Sequence, residues 1–147
     1  SSLLSDTAIT RNEIIKLIQN VEPKTVTMFF DTCYSGQTRD EQMLVSDLRS
    51  IIIEAAKQDT PDNFTIFSAS GSKQVSGSIK EAKHGIFSYF LMKGLEGKAD
   101  SNNDKQITNG ELIAFLKTEV SKEASSQNRE QDPMLVGDAN QVIMKYR

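Results

Sequence analysis

Residues 25–40, TVTMFFDTCYSGQTRD, decide how the rest of the chain is read. Thr25 to Phe30 is a run of β-branched and aromatic residues, the composition of a short strand buried in a sheet. At Asp31 the chain turns polar, and the segment from Asp31 to Gly36 reads as the loop that leaves this strand. Open α/β sheets carry their sites at the C-terminal ends of strands, so Cys33, the one cysteine of the chain, stands where a nucleophile would. The alternative is a lone cysteine acting as a small buried hydrophobe.

Working outward, Thr10 and Glu13 have the spacing of a capping box, with Thr10 as N-cap. Ile14, Ile15, Leu17, Ile18 and Val21 follow as an apolar stripe, so a helix ending before Pro23 is expected ahead of the strand. Downstream, Leu44, Leu48, Ile51, Ile52 and Ala55 predict a second helix, although the three β-branched residues from Ile51 to Ile53 disfavour it. Asn63 to Ser68 reads as a second strand, parallel to the first and joined to it by a helical crossover. The Ser, Gly and Lys-rich residues 69–83 read as a loop that starts at the same end of the sheet as Cys33. A helix from Ile86 to Gly94 or Gly97 follows, with Ile86, Phe87, Phe90, Leu91 and Leu95 on its core face. A further helix over Thr108 to Glu123 has Leu112, Ile113, Leu116 and Val120 as its stripe. A polar linker over 125–132 and a closing strand from Gln141 to Tyr146 complete the pattern.

Composition narrows the classes. A chain of 147 residues, 37% hydrophobic and 25% charged, is expected to form one ordinary globular domain. Its net charge of −3 gives no electrostatic reason to expect nucleic acid or an anionic membrane. No apolar run approaches the roughly 20 residues of a membrane span. No signal-peptide pattern opens the sequence. One cysteine forms no internal disulfide, which leaves the compartment open, with a soluble cytoplasmic setting favoured.

The segment DTCYSG resembles the nucleophile motif of the caspase-like cysteine peptidases, most closely the metacaspase and bacterial caspase-like branch with its Asp-x-Cys-x-Ser-Gly pattern. Three later segments extend the resemblance in the family's order: FSASGSKQVSGS, HGIFSYFLMKGLEGKAD, and a Glu-Leu helix with a terminal strand. The resemblance covers the chain from about Ile9 onward. It implies an α/β three-layer sandwich with a mostly parallel central sheet, of which residues 1–147 are one domain fragment, the C-terminal, nucleophile-bearing portion. It also implies a cysteine endopeptidase acting on peptide or protein substrates, with Cys33 as nucleophile and Asp31, Ser68 and Ser70 at the substrate pocket. A carboxylate at Asp31 favours Arg or Lys before the cleaved bond. Lys73 lies in the loop where metacaspases add a second acid, and a plain capping role at the turn is the alternative for Asp31. Cleavage by a thiol needs no cofactor.

The chemistry asks for more than the thiol. A cysteine of pKa near about 8.5 needs a histidine to take its proton and to protonate the leaving amine. In caspases that histidine lies about 50 residues before the cysteine. The chain's one histidine is His84, after Cys33, at a helix start that the family uses structurally. The expected partner is a histidine-bearing N-terminal segment of the same domain. A non-catalytic binding or regulatory module with this fold is the alternative. The oxyanion donors implied are the backbone N–H of Cys33 and a glycine N–H next to that histidine.

A second constellation is independent of the thiol. Asp100, Asn102, Asp104, Thr108 and Glu111 place oxygens at the first, third, fifth, ninth and twelfth positions of an EF-hand loop, with Gln106 at the seventh. Calcium is the ion this spacing suggests. At the sixth position Lys105 replaces the glycine of the sharp turn and brings a positive charge. The alternative is a polar turn between two helices.

Overall fold

The computed structural model describes residues 9, 11–31, 60–69, 78–79 and 84–146. The chain is a mixed α/β protein with three helices and a small mixed sheet among these residues. In order, helix α1 is Arg11–Gln19, strand β1 Val26–Phe30, β2 Phe64–Ser68, β3 Ser78–Ile79 and β4 His84–Gly85. Helix α2, Ile86–Lys93, runs on into a wider π turn over Gly94–Lys98. Then come β5 Gln106–Thr108, α3 Asn109–Ser126, β6 Met134–Val136 and β7 Val142–Lys145. None of the described helices is long and apolar enough to cross a membrane.

The central sheet has the order β1-β2-β6. β1 and β2 are parallel, as expected, with Val26 opposite Phe64 and Phe30 opposite Ser68. The crossover helix expected between them lies outside the described residues. β6 joins antiparallel, with Ile66 opposite Val136 and Ser68 opposite Met134, so the sheet is mixed rather than mostly parallel. Three apolar residues between Pro133 and Gly137 are too short a run to show periodicity, which is why residues 134–136 do not stand out as a strand in the sequence.

Alternate residues of β2 point to opposite faces and build two cores. Phe64 and Ile66 pack with Ile15 of α1, Val136 of β6, and the half-buried Ile18, Val26, Met28 and Phe30. Phe67 and Ala69 pack with Ile86 and Phe87 of α2 and Leu112, Leu116, Val120 and Ala124 of α3. The sheet thus has α1 on one face and α2 with α3 on the other. The stripe read for α1 is narrower than expected: Leu17 is 59% and Val21 76% exposed. The helix ends at Gln19, and Glu22 turns the chain with φ 47° before Pro23, which takes Val21 off the helix altogether. β1 is half-buried rather than buried, with Phe29 stacked on Phe67 at 5.2 Å between ring centres and still 39% exposed.

The start of α3 is fastened to the sheet by polar groups. Asn109 is buried and donates from Nδ2 to the Asp138 carbonyl at 2.8 Å and to Thr65 Oγ1 at 3.3 Å. Its backbone N–H donates to the Gln141 carbonyl, and that of Gly110 to the Ala139 carbonyl, so two amides that a helix start leaves open are satisfied by the 138–141 turn. Gly137 enters this turn at φ 131°, where a Cβ would meet the Phe64 carbonyl and Thr65 at 3.0 Å. The closing strand pairs with β5, not with the central sheet, and Tyr146 donates to the Leu95 carbonyl at 2.9 Å.

Candidate functional site

Parallel pairing brings two strand exits to one edge. The Ala69 N–H donates to the Phe30 carbonyl at 2.8 Å, so the register continues to the last residue before Asp31. Asp31 and Ser68 therefore leave the sheet side by side, Asp31 exposed and Ser68 half-buried between its partners on β1 and β6. Cys33 and Ser70, the other two residues expected at this edge, lie outside the described residues, as does Lys73. Of the expected pocket, Asp31 and Ser68 are thus placed together.

A third element reaches the same point. The hairpin of β3 and β4, with Ser78 opposite Gly85 and Ile79 opposite His84, delivers the chain into α2; these residues read as loop and helix start in the sequence, and they pair as short strands. Gly85 is the N-cap residue of α2 and has no side chain to close the first turn. The Asp31 carboxylate stands there instead: its Oδ2 accepts a hydrogen bond from Ser88 Oγ at 2.5 Å, and a Cβ on Gly85 would meet that same oxygen at 2.6 Å. Glycine is required by this approach, and a carboxylate at the first turn is favoured by the helix dipole. α2 is held in position by Ile86 and Phe87, both fully buried. Sequence reasoning had no role for Gly85 or Ser88. The signal available was a helix that begins on a glycine, without an oxygen of its own for its free amides.

The loop over 100–111 is closed by its own backbone. Asp100 accepts from the Asp104 N–H at 3.2 Å through Oδ1 and from the Lys105 N–H at 3.0 Å through Oδ2. Asn102 Oδ1 accepts from the Asp104 N–H at 2.8 Å, and Asp104 Oδ1 from the Gln106 N–H at 2.8 Å. Lys105 takes the left-handed turn with φ 64° although it is not glycine, so the lysine at the sixth position does not remove the bend. Gln106 begins β5 opposite Lys145.

Glu111, expected as the twelfth-position ligand, closes a capping box: Thr108 Oγ1 accepts from the Glu111 N–H, and Glu111 Oε2 accepts from the Thr108 N–H at 3.0 Å. Its Oε1 accepts from Ser101 Oγ at 3.0 Å. The Thr108 amide lowers the Glu111 carboxyl from its ordinary value; burial opposes it, and the Thr108 and Ser101 hydroxyls lower it further. Among the described residues no three His, Cys, Asp or Glu side chains gather closely enough to hold a metal ion. An open groove of about 530 Å³ runs along α3 beside Glu111, bordered by Lys98, Phe115, Thr118 and Asn140, and does not reach Asp31.

No family model, no curated protein and no solved structure matches the chain.

Proposed function

We propose that this chain is the nucleophile-bearing portion of a caspase-like domain and acts as a cysteine endopeptidase that cleaves after Arg or Lys. The observation that carries the reading is the meeting at Asp31. Three of the segments that resemble the family, DTCYSG, FSAS and HGIFS, meet at Asp31 and the residue before it: the Ala69 N–H donates to the Phe30 carbonyl, and the Ser88 hydroxyl to the Asp31 carboxylate. A caspase-like sandwich, with helices on both faces of its sheet, accounts for this convergence.

In the proposed reaction Cys33, as thiolate, attacks the carbonyl carbon of the scissile peptide bond, and the tetrahedral oxyanion collapses with release of the amine. Histidine removes the thiol proton and returns it to the leaving nitrogen; water then hydrolyses the thioester. In this proposal that histidine belongs to a histidine-bearing N-terminal segment, as the resemblance to the family implies, and His84 begins the short strand that leads into α2. Asp31 holds the basic side chain of the substrate by a charge-assisted hydrogen bond.

Profiling on a peptide library tests this directly. The chain combined with such a segment is expected to cleave after Arg or Lys, and Cys33→Ala to abolish cleavage. Cleavage after Asp would overturn the specificity, and an inert thiol in the combined protein would leave a binding module as the function.

A further inference from the structure

Asp31 does not present its two carboxylate oxygens equally. Oδ2 accepts the Ser88 hydroxyl at 2.5 Å and is pressed against Gly85, where a Cβ would stand 2.6 Å from it. Oδ1 lies farther from that same point, at 3.5 Å. An ionised carboxylate oxygen has about two lone-pair sites. On Oδ2 one is taken by Ser88, and the approach to the other is narrowed by the backbone at the start of α2. Ser88 itself stays in place because its neighbours Ile86 and Phe87 are fully buried in the core between α2 and α3.

We propose that Ser88 is a positioning residue that turns Asp31 into a one-oxygen acceptor and thereby biases the substrate pocket toward lysine over arginine. The inference rests on the reading of Asp31 as the pocket carboxylate. Its physical basis is the difference between the two cations. A guanidinium binds a carboxylate best as a fork, with two parallel N–H bonds to two oxygens, and loses one of them when an oxygen is already engaged. An ammonium is a compact charge that needs a single oxygen. A hydroxyl on Oδ2 therefore costs arginine more than lysine.

The probes are three peptidyl chloromethyl ketones that differ only in ending with lysine, arginine or the uncharged norleucine. The rate at which each alkylates Cys33 of the chain combined with the histidine-bearing segment is read by intact mass, for the wild type, Ser88→Ala and Ser88→Thr. In the wild type both basic probes are expected to react faster than norleucine. The lysine-to-arginine rate ratio should fall about fivefold in Ser88→Ala, the size of one exposed charge-assisted hydrogen bond, and return in Ser88→Thr. A general loosening of the fold would change all three rates together and leave the ratio alone. Equal rates for all three probes in the wild type would overturn the pocket reading and this inference with it. Faster basic probes with an unchanged ratio in Ser88→Ala would overturn the inference alone.

Discussion

The starts of α2 and α3 are solved in opposite ways. α3 is capped from within: Thr108 and Glu111 exchange hydrogen bonds three residues apart, and the 138–141 turn takes two further amides. α2 begins on Gly85 with no side-chain cap of its own, and the carboxylate at its first turn arrives from Asp31, 57 residues from the Ser88 that it contacts. A cap made locally serves the helix. A carboxylate brought from a distant strand end, exposed and touching only one hydroxyl through its described contacts, is more than the helix needs, because α2 is already fixed by two buried core residues. The contrast fits the proposed role of Asp31 in the substrate pocket, while Glu111 is engaged in its own capping box.

The largest effect expected from this contrast is on Asp31. Asp31→Asn keeps an oxygen for the Ser88 hydroxyl and removes the charge, so the melting temperature should stay close to that of the wild type. Cleavage after Arg or Lys by the combined protein should fall about 30-fold or more, because the substrate cation is left without its counter-charge. A loss of stability in step with the loss of activity would erase the distinction between the two helix starts. Thr108→Ala should behave in the reverse way. Loss of the N-cap oxygen should lower stability by about 1 kcal/mol in denaturant unfolding while cleavage by the remaining folded protein is unchanged.

The same contrast explains what the sequence discloses. The capping box of α3 is legible in Thr108-Asn-Gly-Glu111, a local pattern ahead of an apolar stripe, although a calcium-loop reading of the same residues hides it. The parallel pairing of β1 with β2 is legible because both are short apolar runs separated by enough chain for a crossover. Gly85 and Ser88 are not legible as site residues, since nothing within several residues of either shows that Asp31 will come to rest there. Nor is β6, whose three residues find their place only when β2 offers its second edge. Local hydrogen bonding leaves a signature in spacing, and contacts between distant segments leave none in a single sequence.

Acid titration sharpens the comparison further. The hydrogen bonds from Thr108 and Ser101 lower the Glu111 pKa in the folded state below its ordinary value of 4.5. A depressed carboxyl stabilises the fold above its unfolded pKa, and that contribution is lost as the pH falls through the folded pKa. Thermal melts of the wild type below about pH 4.5 should therefore lose stability more steeply than those of Glu111→Gln, which has no charge to lose. Identical acid limbs would mean that the capping box is not held by the ionised form. The effect is small because Glu111 is largely solvated, where water screens the charge.

The smallest effect expected is at Lys105, and it decides how the 100–111 loop is closed. Lys105 holds φ 64°, a conformation in which a side chain is strained and glycine is not. Lys105→Gly relieves that strain and gives back part of the gain through the greater freedom of glycine in the unfolded chain, so a net stabilisation of about 0.5 kcal/mol is expected. The substitution also removes the positive charge at the sixth position of the loop. If the loop is closed by its own amides, with Asp100, Asn102 and Asp104 engaged as acceptors, the gain should be the same in chelator and in millimolar calcium. A gain that grows with added calcium would show instead that these oxygens exchange backbone amides for an ion once the lysine is gone. Denaturant melts of both proteins, each with chelator and with calcium, separate the two; the self-closed loop predicts parallel curves, offset by the relief of strain alone.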